Sequence, residues 1–348
     1  GILSMKMFKG GLVMPKIIKD MHGFMAEAER FGFTTKKVRM KTYLDFLYCK
    51  ALFRCTVEEY LLFGYNRYKN SYRKYFLTNY QRRHSLRYVN KVRLTMSKMF
   101  QYKRLKDFYG REIFFLSEHD ATEFTAFVKK HKKVFLKPDK ASCGRGAEVF
   151  EFTDNETCQN KFEALSKKDM ICEEFIFQCK EISDICPTSV NSCRILTLRD
   201  GQTVSVIAAT FKTSKGSSFV DNMHADGIGA AVDVKTGVVI TEGRDYANNT
   251  FIYHPMTGMV IPGIQLPFWS ATLYLVKKAH LLMPESAVLG WDVAFTDNGP
   301  IIIEVNGAPG PNIHQFADKK PKGRPIMEFI SNKKNRTYKL KDNIDPNA

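Results

Sequence analysis

Three side chains that can offer oxygen ligands lie close together in the stretch 287–306, AVLGWDVAFTDNGPIIIEVN. Asp292 belongs to one apolar run, and Glu304 and Asn306 belong to the next. The apolar and β-branched content of both runs predicts two strands, and Asp297-Asn298-Gly299 is typical of a hairpin turn. Carboxylate and amide oxygens are ligands that Mg²⁺ prefers, often together with substrate phosphates. The stretch is therefore a candidate magnesium site on a β-hairpin.

The register of this hairpin decides whether the two acids can act together. A two-residue loop would point Asp292 and Glu304 to opposite faces of the sheet. A three-residue loop with Gly299 in the left-handed conformation pairs them on one face, with Asn306 pointing the same way. We expect the second register, because Pro300 then starts a strand where it has no ladder hydrogen bond to lose. The alternative is that the acids are ordinary polar ends of a half-buried hairpin.

Two further segments carry cations in places that suggest anion binding. A strand predicted for 134–137 ends in Lys137-Pro138, and the small loop 142–146, SCGRG, follows it. Loop glycines let backbone N–H groups approach phosphate oxygens, although a plain hairpin would look the same. Arg194 lies in the otherwise small and apolar strand NSCRILTL, where an unpaired guanidinium is not expected. Its alternative role is a structural ion pair.

The elements that must position these residues follow a basic N-terminal third. At 348 residues the chain is long enough for two or three lobes. The formal net charge is +17, and residues 1–110 hold all of it, with 24 Lys+Arg against 7 Asp+Glu. Apolar residues at three- and four-residue spacing predict that this part is mainly helical.

The segment 65–93, YNRYKNSYRKYFLTNYQRRHSLRYVNKVR, interleaves Tyr with Arg and Lys. Such a pattern could stack bases and hold phosphates, or press on an anionic bilayer. It could also be a solvated helical face whose aromatic residues dock on the rest of the protein. We favour docking, followed by an acidic substrate and then a membrane surface with a lipid-linked glycan, and we rank nucleic acid last.

The cysteines and the hydropathy indicate a cytoplasmic protein. The eight cysteines form no C-x-x-C pair, which argues against zinc fingers and redox motifs and favours free buried thiols. No apolar run approaches the roughly 20 residues of a membrane span, and the start lacks the long apolar core of a secretory signal. Residues 1–110 are the part that could contact an anionic membrane.

The order of these motifs resembles the ATP-grasp superfamily. More narrowly, PTSVNSCRILTL, DNMHADGIG, YHPMTG, GWDVAFTDNGPIIIEVN and the following Gln315 resemble the sugar-transfer-associated ATP-grasp family, which is found with surface-polysaccharide genes. The resemblance covers roughly residues 98–315. It implies an α+β fold, in which two α+β lobes grip ATP, after a basic helical N-terminal region. The expected divisions are 1–90 for that region, 91–180 for the small lobe, 181–330 for the large lobe and 331–348 for a polar tail.

The resemblance implies ATP contacts in both lobes. Lys98, at the start of a helix predicted for 96–108, matches the lysine that reaches the ATP phosphates, with Lys103 as the competing position. Lys137 matches the lysine near the α-phosphate and adenine. The other implied contacts are Ser142, Gly144 and Gly146 in a mobile flap, Glu173 or Glu174 with Phe175 and Ile176 at the adenine, and Glu181 at the ribose.

The resemblance also implies catalytic, metal and substrate residues. Arg194 would neutralise the transferred phosphoryl group, with Lys212 as a helper. Mg²⁺, expected as two ions, would be held by Asp292, Glu304 and Asn306. Residues expected near the substrates are Asn222, His254 and Gln315.

The expected reaction is the ATP-dependent joining of a carboxylate to an amine through an acyl phosphate. The family's association suggests a uronic-acid sugar or an amino acid in surface-glycan biosynthesis, with a nucleotide sugar or glycan precursor as a partner. A kinase that phosphorylates a hydroxyl on the same scaffold is the alternative. A third hypothesis is a module without enzymatic activity whose basic third binds an anionic surface or nucleic acid.

Overall fold

The structure, a computed structural model, describes residues 16–91, 97–140, 145–216 and 227–335. The first range is helical, as the sequence predicts. Its helices are α1 (Lys16–Arg30), α2 (Lys36–Phe53), α3 (Val57–Phe63), α4 (Asn70–Arg73) and α5 (Asn79–Leu86). Thr35, Thr56 and Thr78 cap α2, α3 and α5 by accepting hydrogen bonds from backbone N–H groups of the first turn.

Aromatic side chains form the core of this N-terminal region. Tyr60, Tyr65 and Phe76 are fully buried and stack on one another, with ring centroids of Tyr65 and Phe76 4.6 Å apart. The same core includes Ile313 and Phe316 from the far end of the chain. Tyr65 and Phe76 of the basic segment therefore dock as the favoured interpretation of the sequence expects, whereas Tyr72, Tyr80 and Tyr88 are exposed.

A four-stranded antiparallel sheet follows, within the range expected for the small lobe. Its elements are α6 (Lys98–Tyr109), β1 (Ile113–Phe115), α7 (Ala121–His131), β2 (Lys133–Pro138), β3 (Glu148–Glu151), α8 (Asn155–Leu165) and β4 (Met170–Glu174). The strand order is β1-β4-β2-β3. Buried residues of α7 and α8 pack on the sheet in one core, which includes Phe124, Leu165 and Leu136.

The second sheet has seven antiparallel strands in the order β11-β10-β5-β6-β7-β8-β9. The elements of this part are α9 (Lys180–Ser183), β5 (Ser192–Asp200), β6 (Thr203–Ser214), β7 (Gly227–Val232), β8 (Gly243–Arg244), β9 (Thr250–Phe251), α10 (Trp269–Leu281), β10 (Val288–Thr296), β11 (Gly299–Asn306), α11 (Asn312–Asp318) and α12 (Arg324–Asn335). The domain boundaries drawn from the sequence stay a prediction.

Alternation along the strands separates a core face from a polar face in this sheet. On β10, Leu289, Trp291 and Val293 join the large core that contains Val276 of α10. The residue between the last two, Asp292, must therefore point to the other face. The sequence places its charged residues on that second face, which is where the candidate site lies.

The hairpin of β10 and β11 pairs Asp292 with Glu304, as predicted, but the predicted loop is wrong. Thr296 pairs with Gly299, so the loop has two residues, 297–298, and Gly299 has φ +116° at the start of β11. The pairing then shifts by one residue, because Ile303 is an extra residue in β11. This bulge, and not the loop, brings the two acids opposite each other.

The seven cysteines in the described ranges are free and buried, as expected. Among the described helices, none combines the length and apolarity that a membrane crossing requires.

Candidate active site

A row of polar side chains crosses the polar face of the large sheet. Asp292 on β10 pairs with Glu304 on one side and with Arg194 of β5 on the other, and Arg194 pairs in turn with Thr210 of β6. Lys212 lies two residues beyond Thr210 on the same strand and therefore on the same face. The structure thus brings together two predicted metal ligands and both predicted catalytic residues.

Arg194 and Asp292 form a two-pronged ion pair. The Nε and Nη2 atoms of Arg194 donate to the two carboxylate oxygens of Asp292 at 2.5 and 2.7 Å. The Nζ atom of Lys212 is 3.5 Å from Oδ1 of Asp292. Burial alone would raise the pKa of Asp292, but the charges of Arg194 and Lys212 outweigh it and lower the pKa to about 2. The carboxylate is therefore ionised, and two cations are fixed beside it.

Glu304 and Asn306 are the members of the row that retain ligand capacity. Within the described residues, the Glu304 side chain makes no hydrogen bond or ion pair, and Nδ2 of Asn306 is buried with no hydrogen-bond partner. No group of three His, Cys, Asp or Glu side chains that could hold a metal occurs in the described ranges. Two carboxylates and an amide oxygen nevertheless fit the hard oxygen ligands that Mg²⁺ takes. Magnesium would have to share Asp292 with Arg194.

Helix α6 holds the edge strand β11 at this point. The side-chain amide of Gln101 donates to the carbonyl oxygen of Val305 at 2.8 Å and accepts from its N–H at 3.0 Å. The amide thus replaces the neighbouring strand that β11 lacks, and it does so between Glu304 and Asn306. The helix therefore fixes the strand segment that carries both candidate ligands.

Lys98 begins the same helix, and its position favours it over Lys103. Its Nζ atom donates to the carbonyl oxygens of Pro138 and Asp139, at 3.3 and 2.9 Å, where β2 ends. Burial lowers the pKa of Lys98, and the nearby carboxylate of Glu304 opposes that shift. Lys103 is more than half exposed and pairs with Glu118 instead. Of the two candidates, Lys98 is the one beside the polar row.

Lys137 is held by a buried ion triad that the sequence does not reveal. Its Nζ atom is 2.6 Å from one oxygen of Glu173, and Arg111 donates to the other oxygen at 2.9 Å. Burial would raise the pKa of Glu173, but the charges of Arg111 and Lys137 lower it overall. Each carboxylate oxygen of Glu173 thus has a cationic partner. Of the two glutamates expected at the adenine, Glu173 and Glu174, Glu173 is the one that holds a lysine and an arginine in place.

Arg111 also holds the bulge of β11. It donates to the carbonyl oxygens of Ile302 at 2.7 Å and Ile303 at 3.4 Å, while its other contacts reach Tyr109 and Glu173. One buried guanidinium therefore fixes both the bulge that aligns Glu304 with Asp292 and the glutamate that holds Lys137. The only sequence signal for Arg111 is its place just before the apolar residues 113–115, IFF, and that signal does not identify its partners.

A cavity of about 360 Å³ lies between the two sheets. Lys137 and Glu173 lie at its polar part, and the bulge residue Ile303 contributes from the large sheet. The remaining lining residues are mostly apolar: Phe135, Val149, Glu174, Phe175, Ile176, Phe177, Gln178, Ser183, Pro187, Thr188, Ser189 and Val190. This size and lining suit a flat, largely apolar ring such as adenine.

Other predicted residues lie away from this cavity or outside the described ranges. Glu181 is exposed on α9 and does not line the cavity, so its ribose role stays a prediction. Gly146 adopts φ +73° where the loop rejoins β3, a conformation that favours glycine. Ser142, Gly144 and Asn222 lie outside the described residues.

His254 and Gln315 have structural contacts in place of the expected substrate contacts. Nε2 of His254 is 2.7 Å from the carbonyl oxygen of Ser214, and the ring is buried. Gln315 is fully buried, and its side-chain amide bonds both the N–H and the carbonyl oxygen of Leu77, at 2.8 and 3.1 Å. The proposed function therefore includes neither His254 nor Gln315.

His314 is a residue of the polar face that the sequence did not single out. Its Nδ1 atom is 2.8 Å from Oγ1 of Thr210, next to Arg194 in the row. Its Nε2 atom is buried and has no hydrogen-bond partner among the described residues. Burial lowers the pKa of His314 well below its usual range, with the charge of Arg194 acting in the same direction. The ring is therefore neutral.

Solved structures give distant similarities. The ATP-grasp ligase PsnB, complexed with a phosphomimetic variant of minimal precursor, Mg and ADP, is 12% identical, with a TM-score of 0.44, over 70% of this chain and 61% of that chain. N5-carboxyaminoimidazole synthase from Aspergillus clavatus is 12% identical, with a TM-score of 0.42, over 68% and 52%. D-alanine–D-alanine ligase from Bacillus anthracis is 13% identical, with a TM-score of 0.41, over 70% and 68%. The chain thus spans less than two thirds of the length of the first two proteins.

Sequence comparison gives the assignment. No curated protein matches this chain. The sequence model of the sugar-transfer associated ATP-grasp family matches residues 71–323, which is well over half of the chain and includes every element of the polar row and the cavity. The chain therefore belongs to the sugar-transfer associated ATP-grasp family.

Proposed function

We propose that the protein is an ATP-dependent ligase that joins a carboxylate to an amine. The observation that carries the proposal is the polar row of Arg194, Asp292 and Glu304 near a cavity of about 360 Å³ that has room for an adenine ring. Two lysines add positive charge. Lys98 of α6 is near Glu304 of the row, and Lys137 of β2 lines the cavity. Phosphoryl transfer depends mainly on positioning and charge stabilisation, and this arrangement provides both.

The position of each residue suggests its role in binding ATP and in phosphoryl transfer. The apolar lining would take the adenine, with Phe175 and Ile176 among its walls. Lys137 and Lys98 would face the phosphates, and Arg194 with Lys212 would face the transferred phosphoryl group. Glu304 and Asn306, with Asp292 shared, would hold Mg²⁺, which when bound neutralises phosphate charge. We propose two Mg²⁺ ions, as the resemblance implies.

The proposed chemistry has two steps. An oxygen of the substrate carboxylate attacks the γ-phosphorus of ATP, the bond from that phosphorus to the β-γ bridging oxygen breaks, and ADP leaves. The amine nitrogen then attacks the acyl carbon, phosphate leaves with the electrons of the C–O bond, and the nitrogen loses a proton. Arg194 and Lys212 stabilise negative charge in both steps, because their cations are already fixed by Asp292.

The substrate class rests on the family's association alone. We propose a uronic-acid sugar or an amino acid as the carboxylate, with a nucleotide sugar or glycan precursor as a partner in surface-glycan biosynthesis. A cytoplasmic location, with the basic region against an anionic membrane, belongs to the same proposal.

Glu304→Gln tests the metal site. The substitution keeps the size of the side chain and removes its charge, so we expect normal folding and a loss of Mg-dependent ADP release of roughly a hundredfold or more. The Mg²⁺ concentration for half-maximal rate should rise in any residual activity. Glu328 forms an exposed ion pair with Arg324 on α12. Glu328→Gln is therefore the matched control and should behave as wild type. Wild-type activity in Glu304→Gln would remove this residue from the metal site.

A further inference from the structure

Helix α2 is apolar on two opposite sides, and the structure covers one of them. Phe46, Cys49 and Phe53 face the aromatic core of the N-terminal region and are buried. Leu44 and Leu52 point away and are 60% and 56% exposed. A surface helix normally carries polar residues on the side that faces away from its core. The outer side of α2 therefore lacks a partner among the described residues.

The exposed apolar residues form a continuous stripe. Leu44, Tyr48 and Leu52 are spaced by four residues, so they lie one above another along the helix. Tyr48 is 47% exposed, and its hydroxyl oxygen accepts a hydrogen bond from Asn70 Nδ2 at 2.8 Å. Val38 and Leu47, at 45% and 40% exposure, lie on opposite flanks of this row, because nine residues are two and a half turns of helix. Scattered single apolar residues are ordinary on a surface, whereas three in one row indicate an interaction face.

Lysines continue the stripe at its N-terminal end. Lys41 lies one turn before Leu44 on the same side, and Lys37 lies one turn before Lys41. Lys50 lies on the other side of the helix, with its Nζ atom over the ring of Phe46. The single acid of α2, Asp45, is already held by Arg73 at 2.7 Å and by the Tyr60 hydroxyl at 2.6 Å. The exposed side of α2 is therefore apolar with a positive N-terminal end.

The charge decides between the occupants that could cover this face. A second copy of the chain that presented the same side of α2 would offer no acid to pair with Lys37 and Lys41, because Asp45 is already held. An anionic lipid surface complements the charge, accepts the leucines into its apolar boundary, and lets lysine side chains reach the headgroups. Tyrosine is also a residue that prefers the membrane interface.

We propose that the outer side of α2 binds the surface of a membrane that contains anionic lipids. The helix lies in the plane of the interface, with Leu44, Tyr48 and Leu52 in contact with acyl chains and Lys37 and Lys41 at the headgroups. The binding places the catalytic lobes next to the membrane without a spanning helix. This inference rests on the membrane contact in the proposed function, whose binding surface it names, and does not depend on the ligase reaction.

Sedimentation of the full chain with vesicles tests the proposal. We expect binding to vesicles of phosphatidylcholine with a quarter phosphatidylglycerol and little binding to phosphatidylcholine alone. Binding should weaken at high salt, because screening reduces the headgroup attraction. The double variant Leu44→Ser, Leu52→Ser should lose binding by about tenfold or more, since both side chains leave the acyl boundary. Lys37→Gln with Lys41→Gln should lose the preference for anionic vesicles.

A matched double variant separates this face from general surface apolarity. Ile240 and Tyr274 are 53% and 65% exposed elsewhere in the chain, so Ile240→Ser with Tyr274→Ser removes a similar apolar area. It should bind vesicles as wild type does. Absence of binding by the wild-type protein, or equal binding by the Leu44, Leu52 variant, would overturn the proposal. A wild-type dimer that the same variant converts to a monomer would overturn it in favour of a second copy.

Discussion

Arg194 is held in one orientation by Asp292 on the neighbouring strand, and the geometry depends on its planar fork. Two nitrogens of the guanidinium meet two oxygens of the carboxylate at once. Lysine carries the same charge as a single point and cannot make both bonds. The pair is thus a structural ion pair and, in the proposed function, also the anchor of the phosphoryl site.

Arg194→Lys should therefore reduce turnover while sparing nucleotide binding. We expect kcat to fall about a hundredfold, because the charge that stabilises the transferred group loses its fixed position. The Kd for ATP should change by less than about threefold, since Arg194 does not line the cavity that we propose for adenine. Steady-state kinetics and equilibrium binding measure the two quantities.

Arg199→Lys is the matched control for that prediction. Arg199 is buried on the same strand, but its Nε atom donates to the carbonyl oxygen of Gly201 at the strand turn. Its substitution should leave kcat unchanged. Unchanged turnover in Arg194→Lys would leave Arg194 with a structural role alone.

The lowered pKa of Asp292 predicts a specific acid sensitivity. Its pKa falls from 3.8 to about 2 on folding, so protons bind the unfolded chain more readily. The resulting stabilisation is complete above about pH 4, is lost as the pH falls towards 2, and amounts to roughly 2 kcal/mol. Urea unfolding of wild type and Asp292→Asn from pH 5 to pH 2 measures it. The variant should be less stable at pH 5 but lose roughly 2 kcal/mol less on acidification, and parallel curves would contradict the assignment.

At the scale of elements, the end of α6 is packed against β11 with no room for a side chain. Gly110 ends the helix with φ +61°, and a Cβ atom there would lie 2.3 Å from Cγ2 of Ile301. Gly201 has the same φ, +61°, with no atom within 4 Å of such a Cβ. The two glycines thus separate the effect of backbone conformation from the effect of close packing.

Alanine at these two glycines should destabilise the protein by different amounts. Gly201→Ala should lower the free energy of unfolding by about 1–2 kcal/mol, because alanine disfavours the left-handed conformation. Gly110→Ala carries the same loss and should lose about 1–3 kcal/mol more through the clash with Ile301. Denaturant unfolding of both variants gives the difference. Equal losses of unfolding free energy in the two variants would show that α6 and β11 can move apart without a cost in stability.

The same elements show what local sequence can and cannot predict. The first apolar run of 287–306 forms β10, as predicted, and α6 begins at Lys98, within the predicted helix 96–108, because strand and helix signals are local. The bulge at Ile303 was not predictable in this way, since its carbonyl and that of Ile302 are held by Arg111, about 190 residues earlier. The correct pairing was therefore predicted with the wrong loop.

At the scale of the whole molecule, helix α11 joins the basic N-terminal region to the large sheet. Phe316 belongs to the aromatic core, His314 contacts β6, and Gln315 between them bonds Leu77. The sequence could not decide whether the aromatic residues of 65–93 dock or bind a ligand, because the residues that tie their core to the rest of the protein, Ile313, Phe316 and Lys319, lie more than 200 residues further along. The excess of positive charge in residues 1–110, in contrast, follows from the sequence alone, because counting charges requires no knowledge of contacts.

Gln315→Leu tests whether this residue joins the regions or contacts a substrate. The variant leaves the buried N–H and carbonyl of Leu77 without partners, so the free energy of unfolding should fall by roughly 1–3 kcal/mol. The kcat at saturating substrate should remain that of wild type, because the side chain is fully buried. Thermal or denaturant unfolding together with steady-state kinetics checks both. Loss of turnover at unchanged stability would restore the substrate role expected from the sequence.

The reaction itself provides the most direct test of the proposed function. ADP and phosphate release from Mg-ATP should be measured across uronic acids, nucleotide sugars and amino acids, singly and in pairs, with the products weighed by mass spectrometry. The ligase proposal predicts free phosphate and a condensed product that require both a carboxylate and an amine. A product heavier by one phosphoryl group, formed from one partner alone without free phosphate, would contradict it and establish a kinase.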